Sequence, residues 1–232
     1  MSNLLKKIAQ NKSIETIVYE VDLLEVVMKK ISIISKTSEL LNAIQGEVKI
    51  EQTSIHSKNY HLCVVDLNNL ESLKKSLIES NIDTSIPTLF LSECVLIYLD
   101  PTFSDLIIEW ISTTFKYSSM LTYEQINPFD NFGNVMIQNL KQRGCPLLGI
   151  VKYPDLKSQE QRFKNKGFSI CTAVDMLNIY NNYLSKEDVK RTKKIEFFDE
   201  YEEWNIILQH YSLIFSLNNT NNYWLSNTIQ FI

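Results

Sequence analysis

The sequence predicts an α/β protein built on a mainly parallel β-sheet. Apolar runs typical of strands alternate along the chain with amphipathic helical patterns long enough to serve as crossover connections. The clearest strands are residues 15–22, 60–67, 88–93, 118–126 and 168–174. Because 232 residues with 44% hydrophobic side chains can bury one substantial core, we expect a single domain over residues 1–232.

Two helices carry this argument. In residues 23–35 and in residues 102–115, apolar side chains recur at helical spacing and share one face. Strands that alternate with such helices run parallel, with helices on both faces of the sheet. Beyond Pro154 we expect a helix over 156–168, two short helical stretches, and a helix around 197–211.

The C-terminal end departs from this alternation. Residues 211–217 and 223–232 are both strand-like, and the polar stretch "NNTNN" joins them. A polar turn between two such runs is typical of a hairpin, so we expect the sheet to finish with a C-terminal antiparallel hairpin.

Composition and charge argue against several functional classes. A formal net charge of -4 gives no positive footprint for nucleic acid, and no apolar run approaches the length of a membrane span. The four cysteines lack CxxC spacing, and the spacing of the three histidines suits no metal site. We therefore expect a monomer without metal, nucleic-acid partner or membrane, in the cytoplasm or nucleus.

Acidic residues end three successive predicted strands, at Asp22, Asp66 and Glu93. The carboxyl ends of parallel strands line the crevice where ligands bind, so acids recurring there favour a row of acceptors facing a small molecule. An acid at such a strand end is suited to ribose hydroxyls, and one a strand further along to an adenine amino group. We expect the three to converge on one crevice.

The alternative for Asp22 and Asp66 is that each caps the helix after it, since Asp is favoured at that position. Glu93 is less easily explained in this way, because Glu is a poor N-cap. Residues 88–91 and 95–98 flank it with the continuous apolar character of a strand covered on both faces, where an isolated carboxylate is costly unless it is paired or used.

A glycine-rich turn after the first strand is the usual support for a dinucleotide or a methyl donor. The chain has five glycines, and none follows a strand in that context. Nor does the sequence offer a convincing Ser-His-Asp or Cys-His pairing.

Six segments together give the chain a specific resemblance from residue 15 onward. They are "YEVD" with "EVVMKKI" (19–31), "DLNNLESL" (66–73), "PTLFLSECVLIYLDP" (87–101), "YEQINPFDNFGNVMIQNL" (123–140), "RGCPLLGI" (143–150) and "TAVDMLNIY" (172–180). In these the chain resembles the leucine carboxyl methyltransferases, S-adenosylmethionine-dependent enzymes that methylate the C-terminal leucine carboxylate of type 2A protein phosphatase catalytic subunits.

The resemblance implies a class I S-adenosylmethionine-dependent methyltransferase fold, which is Rossmann-like, with S-adenosyl-L-methionine as cofactor and a phosphatase catalytic subunit as partner. It implies that Asp22 binds the ribose hydroxyls, that Asp66 and Leu67 hold the adenine, and that Glu93 lies near the amino-acid end of the cofactor. For the substrate pocket it implies Tyr98, Tyr123, Glu124 and Gln125. It assigns no catalytic residue, because a carboxylate acceptor needs no general base.

The chain departs from the family pattern before "YEVD". Family members have an earlier first strand ending in a glycine-containing loop, preceded by a helical region with an arginine and a lysine, whereas about a dozen residues stand here. We therefore expect an N-terminally shortened member without the first strand and its glycine loop. The strands of Asp22 and Glu93 would lose their shared neighbour, and cofactor binding would be weak or absent.

Two alternatives to phosphatase methylation follow from the sequence. One is a related methyltransferase with a tRNA or small-molecule acceptor. The other is a degenerate, non-catalytic family member that acts as a binding protein, which the missing glycine loop favours.

Overall fold

A computed structural model describes residues 16–218 of the chain, and these residues form two compact units that meet in sequence between Ile82 and Asp83. Each unit has its own four-stranded sheet. Single-domain organisation remains a prediction, and the units are described one at a time.

Unit 1 consists of a four-stranded mixed sheet and three helices. Its elements in chain order are β1 (Val18–Asp22), α1 (Leu24–Lys36), α2 (Ser38–Ala43), β2 (Lys49–Ile50), β3 (Ser54–His56), β4 (Tyr60–Val64) and α3 (Leu70–Glu79). The strand order is β1-β4-β3-β2, with β1 parallel to β4 and the other pairs antiparallel. The buried face of α1, with Val27 and Ile31, packs on Ile55, Tyr60 and Leu62 of the sheet.

Unit 2 consists of a second mixed sheet with its own helices. Its elements are β5 (Thr88–Glu93), a 3₁₀ turn (Leu96–Tyr98), α4 (Pro101–Thr114), β6 (Ser118–Gln125), α5 (Asn131–Gln142), α6 (Leu156–Asn165), β7 (Ile170–Asp175), α7 (Met176–Asn182), α8 (Lys186–Thr192), α9 (Tyr201–Gln209) and β8 (Tyr211–Leu217). The strand order is β5-β6-β8-β7; β5 and β6 are parallel, and β8 is antiparallel to both neighbours.

The five predicted strands and the alternation of strand and helix are confirmed. The described sheets are mixed rather than mainly parallel, because only the pairs β1–β4 and β5–β6 run parallel. The final antiparallel strand is also present as β8, whose neighbours are β6 and β7. The other predicted hairpin strand, residues 223–232, lies outside the described residues. The short strands β2 and β3 and helix α5 are additions that the periodicity of the sequence did not reveal.

Strands β1 and β5 each lie at the end of a sheet, so within residues 16–218 each has a strand partner on one side only. Whether these strands lack a shared neighbour in the whole chain remains a prediction. On β5 the side chains alternate, leaving Leu89 and Leu91 58% and 59% exposed while Ser92 is buried. The expectation of a strand covered on both faces is therefore wrong for β5, because the face that carries Leu89 and Leu91 is exposed.

The described helices include none that is both long and apolar enough to span a bilayer.

Candidate functional site

Asp22 and Asp66 follow neighbouring parallel strands of unit 1 and lie at the same edge of its sheet. Asp22 ends β1 opposite Val64 of β4, and its carbonyl accepts a hydrogen bond from the N–H of Val65, 2.9 Å away. Asp66 directly follows Val65 in the chain. The parallel register predicted from the sequence therefore holds for this pair.

Neither acid caps the helix that follows it. Helix α1 has Leu23 at its N-cap without a side-chain cap, and α3 is capped by Asn69, whose side chain accepts from the N–H of Ser72. The capping alternative for Asp22 and Asp66 is therefore wrong, and both carboxylates need another explanation.

The carboxylate of Asp22 is fixed at one end of a small ion-pair network. One oxygen accepts from the N–H of Leu23 at 2.9 Å, and the other lies 3.2 Å from Nζ of Lys30. Lys30 also pairs with Glu20, which accepts a hydrogen bond from Tyr60 Oη at 2.7 Å. Although burial opposes the charge, these two carboxylates raise the pKa of Lys30. Lys30 thus stays cationic and orients Asp22, whose side chain is still 35% exposed.

Asp66 is held by a local turn. Its Oδ1 accepts from both the backbone N–H and the side-chain amide of Asn68, each at 2.9 Å. The side chain is exposed, and Leu67 beside it is half-buried. Asp22 and Asp66 thus present oriented, accessible acceptors at one sheet edge, which is the chemistry that a ribose diol and an adenine amino group require.

Glu93 is the last residue of β5 and is exposed. The chain turns immediately after it, because Cys94 adopts a left-handed backbone with φ 50°. That conformation is strained for a residue other than glycine and is held by a hydrogen bond from Cys94 N–H to the carbonyl of Tyr123, 2.8 Å away. The apolar run from 88 to 98 is therefore a strand and a separate turn, with Glu93 at the strand mouth.

The buried side chain of Glu124, on β6, stabilises this turn by hydrogen bonds. Its side chain is completely buried, and Oε1 accepts from the backbone N–H groups of Val95 and Leu96 at 3.3 and 3.1 Å. Burial raises the pKa of Glu124 to about 7, although Arg162 and the turn N–H groups act in the opposite direction. Among the described residues its Oε2 has no hydrogen-bond partner. Glu124 thus stabilises the turn, and its assignment to the substrate pocket remains a prediction.

The other predicted pocket residues gather at the same end of β6. Tyr98 lies in the 3₁₀ turn, and Gln125, only 3% exposed, contacts both Tyr98 and Cys94 through its amide. Tyr123 stacks on Tyr211 of β8 with ring centroids 5.1 Å apart. Unit 2 thus brings Glu93, Tyr98, Tyr123, Glu124 and Gln125 to one end of its sheet. The placement of Glu93 relative to Asp22 and Asp66 concerns both units and remains a prediction.

Nucleophilic catalysis finds no support among these side chains. Burial, together with the carboxylates of Glu124 and Glu93, raises the pKa of Cys94 to about 11, so it remains a thiol at neutral pH. Burial, with Tyr211 beside it, raises the pKa of Tyr123 to about 12. Neither is an activated nucleophile.

Unit 2 has a second polar region, which was not predicted from the sequence. A cavity of about 610 Å³ is bordered by residues from four separate segments, among them Asn127, Asp130, Asp175, Asn178 and His210. His210 is 2% exposed, with Nδ1 2.7 Å from the carbonyl of Ile206 and Nε2 3.0 Å from Asp130. Because both ring nitrogens face oxygen acceptors, His210 serves as a clamp between the start of α5 and the end of α9. No short motif could have revealed it.

Comparison with known proteins agrees with the sequence resemblance. The family model for leucine carboxyl methyltransferase matches residues 7–112. The leucine carboxyl methyltransferase 1 homolog of Arabidopsis thaliana is 37% identical over 86% of this chain, and leucine carboxyl methyltransferase 1 of Yarrowia lipolytica is 35% identical over 89%. Human tRNA wybutosine-synthesizing protein 4 is 35% identical over 85% of this chain, a match that covers 29% of that protein.

The chain spans about 60% of the length of the Arabidopsis relative and 63% of the Yarrowia relative. The α/β architecture, with a final antiparallel strand, is consistent with the Rossmann-like methyltransferase fold expected from the resemblance. The family model and these relatives thus show that the chain is similar to the leucine carboxyl methyltransferases over most of its own length.

Proposed function

We propose that this protein transfers a methyl group from S-adenosyl-L-methionine to the α-carboxylate of the C-terminal leucine of a type 2A protein phosphatase catalytic subunit. Similarity to the leucine carboxyl methyltransferases carries the proposal. Such methylation would regulate assembly of the phosphatase. We place the protein in the cytoplasm or nucleus and expect it to act as a monomer.

The described residues fit the cofactor at its nucleoside end. Asp22 would accept the two ribose hydroxyls, and its tether to Lys30 limits the rotamers available to it. Asp66 would accept the adenine amino group, with Leu67 against the ring. Hydrogen bonds from Asn68 fall on Oδ1 of Asp66, so Oδ2 is available for this contact.

At the methionine end we assign Glu93, with Tyr98, Tyr123 and Gln125 on the acceptor side. The cofactor supplies an electrophilic methyl group on a sulfonium. A leucine carboxylate is ionised at neutral pH and is already a nucleophile, so the protein has no proton to remove. Its task is to align the carboxylate oxygen with the methyl group and to exclude water. The absence of a nucleophile and base pair among the described side chains is consistent with this chemistry.

The experiment is transfer of a radiolabelled methyl group to a purified phosphatase catalytic subunit, with the cofactor raised towards saturation because we expect weak binding. An acceptor lacking its terminal leucine serves as the negative control. We expect labelling of the intact acceptor alone, and loss of at least about tenfold in kcat/KM for Asp22→Ala. Well-folded protein that labels neither acceptor overturns the proposal and favours the non-catalytic alternative.

A tRNA acceptor is the second candidate. It is favoured by the tRNA wybutosine-synthesizing protein 4 of Homo sapiens, which matches this chain almost as well as the leucine carboxyl methyltransferases do. The same radiolabel assay with bulk tRNA separates the two candidates: label in tRNA and none in the phosphatase subunit would replace the first proposal with the second.

A further inference from the structure

The surface around α8 combines four lysines with an apolar base. Lys186, Lys190, Lys193 and Lys194, here called the lysine hollow, border a depression of about 480 Å³. Leu184 and Val189 contribute to the same lining. The hollow thus offers several positive charges around a small apolar floor.

The segment that carries the hollow is packed onto α9 and is not a loose extension. The ring of Phe198 meets the rings of Tyr201 and Trp204 edge to face, with centroids 5.2 and 5.8 Å apart. Trp204 also contacts Tyr180, whose ring borders the hollow. Lys193 Nζ lies 5.0 Å from the centroid of Tyr201. These aromatic contacts fix the surface on which the lysines stand.

Within residues 16–218 none of the four lysines forms an ion pair, although the chain as a whole carries a net charge of -4. Arg191 of the same helix is instead paired with Asp188 at 3.3 Å. The lining of the hollow therefore carries four lysines and no carboxylate, and the lysines are available to an outside anion.

Two strongly exposed apolar side chains follow the lysines directly in the chain. Ile195 is 73% exposed and Phe197 is 86% exposed, the highest values among the large apolar side chains that the structure describes. Exposed aromatic and aliphatic groups beside unpaired charge are typical of surfaces that bind another protein.

We propose that the lysine hollow is a docking surface for an acidic segment of a protein partner, one that carries an apolar side chain beside its carboxylates. The carboxylates would meet the lysines, and the apolar group would contact Ile195 and Phe197. This surface is separate from the strand-end residues assigned to methyl transfer, and the proposal stands whether or not the proposed function does.

A protein fits better than a nucleic acid. The flanking carboxylates of Glu187, Glu196 and Asp199 would repel a continuous phosphate backbone, whereas a short acidic segment can end within the hollow. The cationic side chains that line the hollow are all lysines. Arg191, whose guanidinium would favour phosphate recognition, is instead paired with Asp188.

The test measures binding of a fluorescent peptide of alternating glutamate and phenylalanine to the whole protein. The test variant carries Lys190→Glu and Lys194→Glu, which leave the contact of Lys193 with Tyr201 in place. The matched control carries Lys29→Glu and Lys141→Glu, two exposed lysines elsewhere whose reversal changes the net charge equally. Thermal melts of both variants verify folding, and a Lys190→Gln, Lys194→Gln variant replaces the reversal if its melt is lowered.

We expect the reversal to weaken peptide binding at least about tenfold, the control to leave it within about twofold, and added salt to weaken it in the parent. An isosteric peptide of glutamine and phenylalanine should bind much less. Equal losses in both variants would reveal a bulk charge effect and overturn the proposal, as would no binding of the acidic peptide. Tighter hollow-dependent binding of single-stranded RNA or of phosphatidylserine vesicles would overturn it in favour of those partners.

Discussion

The carboxylate of Glu124 accepts a hydrogen bond from the backbone N–H of Leu96, 3.1 Å away, and thereby joins strand β6 to the turn that follows Glu93. This contact is completely buried at the Glu124 end. It supports the turn between Glu93, at the mouth of β5, and Tyr98.

Replacing Glu124 tests how much this contact stabilises unit 2. Glu124→Ala leaves the N–H groups of Val95 and Leu96 without their acceptor, so we expect the free energy of unfolding to fall by about 1–3 kcal/mol. Glu124→Gln keeps an acceptor and removes the buried charge, so it should lose less. Urea unfolding of the three proteins makes the comparison, and equal losses for Ala and Gln would mean that charge, not the hydrogen bonds, is what matters.

The stability contributed by Glu124 should depend on pH. Burial raises its folded pKa to about 7 from an ordinary 4.5, so the folded protein binds this proton more tightly than the unfolded chain. The contribution is therefore complete below about pH 4.5 and is lost as the pH rises through about 7, by up to about 3 kcal/mol. The measurement is the difference in unfolding free energy between the parent and Glu124→Gln across this range.

Asp105→Asn is the matched control for that titration. Burial opposes the Asp105 charge, but Tyr153, Lys152 and Arg162 hold the pKa of this carboxyl below its ordinary 3.8. Its contribution is present above about pH 3.8 and is lost only as the pH falls below that value, so the difference between parent and Asp105→Asn should be flat from 4.5 to 7. A Glu124→Gln difference that is equally flat would contradict the proton assignment.

Two histidines should make unit 1 sensitive to acid. Nδ1 of His56 lies 3.0 Å from Nδ1 of His61, so one ring must donate and the other accept. Burial, and then the charge of His56, lowers the pKa of His61 below its ordinary 6.5. The neutral ring of His61 therefore stabilises unit 1 fully above about pH 6.5. This stabilisation is lost as the pH falls through the lower pKa that His61 has in the folded protein.

We therefore expect the urea midpoint of the parent to fall more steeply below about pH 6.5 than that of His61→Phe, which keeps a ring against Tyr19 and cannot titrate. Circular dichroism across the range from pH 5 to 8 follows both proteins. Parallel curves would show that His61 is not responsible.

Among the described residues β5 has a strand partner on one side only, and backbone exchange should reveal its other edge. The N–H groups of Thr88 and Cys94 donate to the carbonyls of Tyr117 and Tyr123, so in a parallel ladder those of Phe90 and Ser92 also donate towards β6. The N–H groups of Leu89, Leu91 and Glu93 point away from β6. We expect the N–H groups of Leu89, Leu91 and Glu93 to exchange with solvent at least about a hundredfold faster than those of Phe90 and Ser92. Uniform protection along β5 in a hydrogen-exchange NMR experiment would contradict the strand order.

The sequence was most informative where a residue's neighbours in the chain decide its structure. Apolar periodicity located the long strands and helices, and the acids at the ends of β1 and β5 could be read from the boundaries of those runs. The role of Glu124 could not be read in this way, because the apolar side chains of β6, Met120, Leu121 and Tyr123, fall on both faces of the strand.

Other features depend on contacts that no local pattern records. The left-handed backbone of Cys94 is imposed by its hydrogen bond to Tyr123 and by Glu124, not by a residue type that favours it. The clamp between Asp130 and His210 joins positions 80 residues apart. The strands β2 and β3 have two and three residues, too few for a period to be recognised.

Glu93 is the residue proposed to contact the methionine end of the cofactor. It is exposed at the end of β5 and contributes none of the described hydrogen bonds that hold the turn, so Glu93→Ala should change the unfolding free energy by no more than about 0.5 kcal/mol. If it contacts the cofactor, its removal instead weakens methyl transfer.

The most direct measurement pairs a thermal melt of Glu93→Ala, without cofactor, with its rate of methyl transfer to a phosphatase catalytic subunit, expressed per folded molecule. We predict an unchanged melting temperature and a loss of transfer of about tenfold or more. A lowered melting temperature with unchanged transfer per folded molecule would contradict the assignment of Glu93 to the cofactor.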